Sequence, residues 1–252
     1  MKDLFDLTGK VALVTGGSRG IGRTIAGAFA EAGADVVIAS RKADACVLAA
    51  KEISEATGRR ALGLGCHVGK WDDCDALISR VYDEFGRCDV LVNNAGMSPK
   101  YQDLASITED YYDKVSSVNL KGPFRLSAAI GTRMAAGEGG SIINVSTIGS
   151  TRPGANELVY ACAKAGLNAL TIGTAEAFGP TVRANAILPG SVMTDISHAW
   201  TPEFIEMVSD VPAGRPGQPE DFIGTALWLA TAASAFVTGA IIRVDGGAFR
   251  QM

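Results

Sequence analysis

The sequence predicts an α/β fold: a doubly wound parallel sheet of about seven strands, with helices on both faces, in a single domain. Three observations predict it. Short apolar runs recur along the 252 residues without polar alternation, as strands buried on both faces of a parallel sheet require. Longer segments with helical spacing separate those runs. A cluster of four glycines, within residues 16–22, directly follows the first run. A doubly wound sheet places its phosphate-binding turn there, whereas a barrel of eight β/α units places it after its late strands.

The first strand is expected at 11–14, followed by the glycine loop and a helix with Ile21, Ile25 and Phe29 on one face. The second strand falls at 36–39 and a weaker third at 61–66. Asp72 and Asp73 put acids in the first turn of the next helix. A strand at 90–92 comes before Thr108-Glu109-Asp110, which opens another helix. A strand at 142–145 leads to the helical stretch holding Tyr160 and Lys164, and a further strand follows at 186–188. Thr201-Pro202-Glu203 and Gln218-Pro219-Glu220-Asp221 supply Pro and acids to two late first turns. The last strand is expected at 240–244. Without a repeat, low-complexity tract or Pro-rich linker, one domain is expected to span 1–252.

Composition narrows the function. With 47% hydrophobic and 20% charged residues, the chain is an ordinary globular protein. A formal charge of −4 and no Lys/Arg block argue against nucleic acid or an anionic membrane as partner. The acidic first residues do not read as a signal peptide, and no apolar stretch approaches 18 residues, so a cytoplasmic protein is expected. The five cysteines are odd in number and contain no Cys-x-x-Cys pair. They indicate neither disulfides nor zinc and read as small packed hydrophobes, Cys162 included. Only His67 and His198 are present, which leaves little room for a metal site or Ser-His-Asp chemistry. No metal is expected.

Glycines between a strand and a helix let the backbone approach a diphosphate, beside the free N–H groups of the helix start. The spacing G-x-G-x-x-G fails, because the third glycine would fall at Ile25. A P-loop reading, Gly17 to Gly22 followed by Arg23 and Thr24, fits except that Arg replaces the lysine. That reading predicts Mg-ATP binding and leaves Tyr160 and Lys164 unexplained. Four residues apart on a helix, the Tyr160 phenol and the Lys164 ammonium point into one space. A phenol titrates near 10, and a neighbouring cation favours its phenolate, so the pair suggests an activated tyrosine. Cys162 faces about 200° away from the pair and is expected to pack rather than react.

The pattern that does fit is T-G-x-x-x-G-x-G at residues 15–22. With it come Asn93-Asn94-Ala95-Gly96, Asn119, the Tyr160/Lys164 pair, Pro189-Gly190 and Val244-Asp245-Gly246-Gly247. In this set and order the chain resembles the short-chain dehydrogenase/reductase family, in its compact branch similar to β-ketoacyl carrier-protein reductases. The resemblance implies a Rossmann-type sheet binding a nicotinamide dinucleotide. Gly16, Ser18, Arg19, Gly20, Ile21 and Gly22 would line the cofactor, with Asn93, Ala95 and Gly96 capping the strand beneath it. Pro189, Gly190, Val192 and Thr194 would approach the nicotinamide, Thr194 at its carboxamide. Lys164 would also bond the nicotinamide ribose, and Asn119 would serve a water-linked proton relay.

Ser40 and Arg41 end the second strand without the acid that would bind the ribose of NAD. Arg41 and Arg19 suit the 2′-phosphate of NADP through charge-assisted hydrogen bonds, so NADP is expected rather than NAD. Solvated arginines are the plain alternative. Where relatives carry Asp-Val to receive the adenine, this chain has His67-Val68. A second departure concerns the substrate-binding serine. Aligned without a gap it falls on Thr147, at the usual spacing of 160 − 147 = 13, and Ser146 is the alternative. Threonine keeps the hydroxyl but adds a methyl and restricts χ1.

The resemblance further implies a substrate lid at about 191–215, with Met193, Ile196, Trp200, Phe204, Met207 and Val208 as candidates. Met97, Ser98 and Tyr101 are candidates for the opposite wall. The expected partner is a small carbonyl or alcohol, and the final strand resembles the surface through which relatives assemble, giving a homotetramer or homodimer. An NADP-dependent ketone reductase, reversible on the alcohol, is the function implied. An NAD-dependent alcohol or sugar dehydrogenase and a non-catalytic dinucleotide sensor are the alternatives. Loss of Tyr160 or Lys164 would mark the sensor, and both are present.

Overall fold

The computed structural model describes residues 2–195, 197 and 200–248. Ile196 and His198, named above, lie outside the described residues. The strands are β1 (Val11–Thr15), β2 (Asp35–Ser40), β3 (Ala61–Gly65), β4 (Val90–Asn93), β5 (Gly140–Val145), β6 (Val182–Pro189) and β7 (Ile241–Val244). All pair in parallel in the order β3-β2-β1-β4-β5-β6-β7. The open sheet excludes the barrel alternative. Chain direction along the sheet reverses between β1 and β4, and this switch point opens the crevice where such sheets bind ligands.

The helices are α1 (Gly20–Glu31), α2 (Ala43–Thr57), α3 (Trp71–Phe85), α4 (Glu109–Ser116), α5 (Gly122–Ala136), α6 (Leu158–Phe178), α7 (Pro202–Ser209) and α8 (Ile223–Ala230). Alternate strand residues feed two cores. Ala12, Val14, Val36, Ile38 and Ile143 pack with α1, α2 and α8, while Leu13, Val37, Leu91 and Ile142 pack with α3, α5 and α6. Sequence caps act as expected at two helices. The hydroxyl of Thr108 accepts from Tyr111 N–H, and that of Thr201 accepts from Phe204 N–H.

Between α4 and α5 the chain runs as a π-helical turn, Ser117–Lys121, closed by the Gly122 N–H on the Ser117 carbonyl. Such turns are rare and concentrate at functional sites. Here the turn carries Asn119. The cysteine expectation needs one correction: Cys46, Cys66, Cys74 and Cys88 are buried, but Cys162 is exposed. The same turn of α6 that points Tyr160 toward the site points Cys162 to the outer surface, so it does not pack in the core. No helix among the described residues is long and apolar enough to cross a membrane.

Candidate active site

The glycine loop is built around close backbone contact. Gly16 and Gly20 adopt positive φ, 64° and 53°, which only glycine takes without strain. A Cβ on Gly22 would stand 2.6 Å from the Gly16 carbonyl oxygen and nearly overlap Asn94 Nδ2. Asn94 Nδ2 itself donates to the carbonyls of Thr15 (2.9 Å) and Gly16 (3.2 Å). Thr15 Oγ1 accepts from the N–H groups of Asn94 and Ala95 at 3.0 and 3.1 Å. Thr15 and Asn94 thus bolt the glycine loop to the end of β4. Both stood in the motifs, but only the register of β1 beside β4 shows their role.

Arg19, at the N-cap of α1, makes no side-chain cap, and the first turn carries no acid. The free N–H groups and the positive dipole end therefore face the crevice, and this cradle fits a diphosphate. Gly22→Ala is expected to cost about 1–3 kcal/mol through overpacking. A thermal melt would show this as a fall in Tm of roughly 2–10 °C, and a fluorescence titration would show weaker dinucleotide binding. An unchanged melt and affinity would mean the loop is looser than described.

The far end of the crevice is made by the ends of β2 and β3. Ser18 Oγ donates to Ser40 Oγ at 3.0 Å, and Ser40 lies 3.0 Å from Cys46 Sγ. Arg41 is exposed, and Arg19 lies 3.7 Å from Asp195 of the segment after β6. Arg23, at the lysine position of the P-loop reading, turns away to Glu52 of α2 at 3.2 Å. That removes the cation a P-loop needs. His67 is half-buried, with its Nδ1 accepting from Gly69 N–H at 3.2 Å, and Val68 is buried.

Beneath the crevice runs a buried seam of polar groups. Asn93 Nδ2 donates to Ser127 Oγ and Asn144 Oδ1, and Asn144 Nδ2 donates to Thr171 Oγ1. The Asn93 side chain is therefore committed to the sheet interior and supports the crevice from below. Asn119 is fully buried. Its Nδ2 donates to the Met97 and Val115 carbonyls at 2.8 Å each, and its Oδ1 accepts from Met97 N–H at 3.2 Å. Gly96 leaves open the space bordering Asn119 Oδ1 and Lys164 Nζ, which a Cβ there would approach at 3.1 and 3.6 Å.

At the centre, Lys164 is 2% exposed and its Nζ donates to the Val145 carbonyl at 2.7 Å. Burial pulls its pKa down to about 7. Nζ stands 5.8 Å from the Tyr160 ring centroid, on the shared helix face that the spacing requires. The expected depression of the phenol pKa does not appear. Burial and the charge of Glu157 push it up, against a smaller opposing effect of the Thr147 hydroxyl. Nζ, meanwhile, is bonded to the Val145 carbonyl. Tyr160 is partly accessible from the crevice. Ser146 is 3% exposed and its Oγ donates to the Lys164 carbonyl at 3.2 Å. That leaves Thr147, half-buried, as the hydroxyl beside Tyr160.

The wall after β6 rests on the glycine loop. Gly190 N–H bonds the Val244 carbonyl, and Val192 bridges to Gly217. The Thr194 methyl lies 3.4 Å from where a Gly20 Cβ would stand. Beyond it, Trp200 and Phe204 stack edge to face at 5.0 Å, and α7 buries no side chain. An element held this lightly is suited to move. Opposite, Tyr101 donates to the Ala155 carbonyl and accepts from Leu158 N–H, tying that wall to the start of α6.

Comparison with known proteins finds similar chains along nearly the whole length. A family profile described as Enoyl-(Acyl carrier protein) reductase matches residues 16–248. The L-rhamnose 1-dehydrogenase (NAD(P)(+)) of Azotobacter vinelandii is 39% identical over 251 residues, covering 96% of this chain and 98% of that protein. The 3-oxoacyl-(acyl-carrier-protein) reductase of Chlamydia trachomatis is 36% identical over 243 residues, covering 96% of this chain and 98% of its own. The crystal structure of a short-chain type dehydrogenase/reductase from Mycobacterium marinum superposes with a TM-score of 0.91 at 34% identity, covering 97% of each chain.

Proposed function

The chain belongs to the short-chain dehydrogenase/reductase family and is an NAD(P)-dependent oxidoreductase of alcohol and carbonyl groups; from that premise we propose that it uses NADP to interconvert a ketone and a secondary alcohol, with Tyr160 as general acid/base. The observation that carries this reading is the meeting of Tyr160, the Thr147 hydroxyl and the buried Lys164 ammonium above the ends of β4 and β5, beside the glycine cradle.

When bound, the dinucleotide supplies or accepts the hydride. The cradle of Gly16, Gly20 and Gly22 and the start of α1 hold its diphosphate, with Ser18, Arg19, Ile21, Ser40 and Arg41 toward the adenosine. Arg41 after β2, Arg19 of the glycine loop and the lack of an acid at the end of β2 support NADP over NAD. His67 and Val68 line the adenine end, Asn93, Ala95 and Gly96 floor the crevice, and Pro189, Gly190, Val192 and Thr194 close it under the 191–215 lid. Thr147 orients the substrate oxygen. Tyr160 gives it a proton in reduction and removes one in oxidation. The raised phenol pKa keeps that proton in place at neutral pH, the form reduction uses. Lys164, held by Val145 with Asn119 nearby, passes protons to the phenol through water.

Titration of the protein with NADPH and NADH, followed by a ketone panel, tests this reading. Tighter NADPH binding and ketone turnover are the expected results, and failure to bind either nucleotide would overturn it. Thr147→Ser is expected to stay within about threefold of the wild type, because the hydroxyl remains. Thr147→Val is expected to lose about 10²-fold in kcat/KM, the scale of one lost donor at a reacting oxygen. Equal activity in the two variants would reassign that role.

We place the active form as a homodimer or homotetramer. A groove of about 910 Å³ on the outer side of α4, α5 and α6, with Leu120, Phe124 and Leu170 in its lining, supports it. Phe124 and Ile172, 47% and 53% exposed, add apolar surface on the same helices.

A further inference from the structure

Glu157 occupies the N-cap of α6, and its side chain makes no capping hydrogen bond. The helix entry is served instead by Tyr101, whose hydroxyl accepts from Leu158 N–H. The Glu157 side chain reaches back over the short helical turn after β5. Its Oε1 lies over Gly149, so close that a Cβ there would stand 2.5 Å away. Gly149 N–H is bonded to Thr147 Oγ1 at 3.2 Å, and Tyr160 follows Glu157 by one helical turn. The carboxylate thus lies against the residue that bonds Thr147 Oγ1, and near enough to Tyr160 for its charge to help hold that proton.

Its partners are few. Among the described residues, the Gly154 N–H at 3.4 Å is the donor it has, and no Lys, Arg or His forms an ion pair with it. A half-buried carboxylate offers about four lone-pair sites, so most of them remain for whatever enters the crevice. Expelling water as substrate binds strengthens a hydrogen bond to such a charge, and it strengthens repulsion of a like charge.

We propose that Glu157 is a substrate-recognition residue: its carboxylate accepts a hydrogen bond from a hydroxyl or ammonium group carried beside the reacting carbon. The enzyme then selects donor-bearing ketones over plain ones and rejects those with a carboxylate at that position. This rests on the placement of Tyr160 and Thr147 at the reaction centre.

Binding separates the two claims. In the Tyr160→Phe background with saturating NADPH, Kd is measured for cyclohexanone, 2-hydroxycyclohexanone and 3-piperidinone, with Glu157 intact, as Glu157→Gln and as Glu157→Leu. With Glu157 intact, at least one donor-bearing ketone is expected to bind about tenfold or more tighter than cyclohexanone. Glu157→Leu is expected to reduce that preference by about 10- to 100-fold, the scale of a hydrogen bond to a charged group. Glu157→Gln distinguishes the two sources of the donor. A preference that survives in part identifies a hydroxyl, and one lost as completely as with leucine identifies the ammonium. The isosteric amide also keeps the test valid if the leucine variant fails to fold. Kd ratios within about twofold of one another in all three proteins would overturn the proposal. Continued turnover in the Tyr160→Phe protein would instead strike the proton-donor assignment, leaving the binding ratios to decide on Glu157.

Discussion

Tyr160→Phe is expected to lower ketone turnover by about 10²–10⁴-fold, the usual contribution of a positioned general acid, while NADPH affinity stays within about twofold. The substitution removes one oxygen and leaves the ring where it packs against Lys164. The partner of that oxygen is the Thr147 hydroxyl within the site, in contrast to Tyr101, whose hydroxyl joins two backbone segments. Steady-state rates with a responsive ketone and a fluorescence titration with NADPH make the comparison. Turnover within about tenfold of the wild type would show that another group delivers the proton.

Lys164→Met is expected to cost activity on a similar scale and yet to raise stability. A lysine that titrates near 10.5 in the unfolded chain and near 7 in the folded protein carries a penalty on the order of 5 kcal/mol when both states are protonated. Between those values the unfolded chain binds the extra proton, so the penalty is complete at pH 7 and below, shrinks as pH rises and disappears above about 10.5. Methionine removes it but leaves the Val145 carbonyl unpaired, which costs about 1–3 kcal/mol. A net gain of about 2–4 kcal/mol follows near neutral pH. Melting curves of both proteins from pH 6 to 10 should converge as pH rises and cross between about pH 8 and 10, where the shrinking penalty equals the cost of the unpaired carbonyl. A gain that does not depend on pH would mean the ammonium is not held out of water as described.

Much of this architecture is legible in the sequence because strands buried on both faces leave unbroken apolar runs, as Val-Ala-Leu-Val does at the start of β1. The glycine loop is equally legible, since positive φ and missing Cβ space admit no other residue at Gly16 and Gly22. Directions of side chains are less so. Spacing places Tyr160 and Lys164 on one face, but cannot show that Nζ is claimed by Val145, nor that burial and the Glu157 charge move the phenol pKa up instead of down. Of two adjacent hydroxyls, spacing favours Thr147 and leaves Ser146 as the alternative, and the packing of α6 then buries Ser146 against the Lys164 carbonyl. Glu157 carried no motif, because its significance lies in a long-range approach to Gly149.

The π turn at Ser117–Lys121 imposes a counting rule on this region. Removing one residue from it would let the backbone relax into a continuous α-helix and rotate everything upstream by about 100° about the axis. Asn119 would swing off the Met97 backbone, and α4 would present a different edge to α6. Single-residue deletions between α4 and α5 should therefore be purged from a library selected for activity, while similar deletions near the exposed Gly86 turn after α3 survive. Helical phase, more than side-chain identity, is what this stretch preserves.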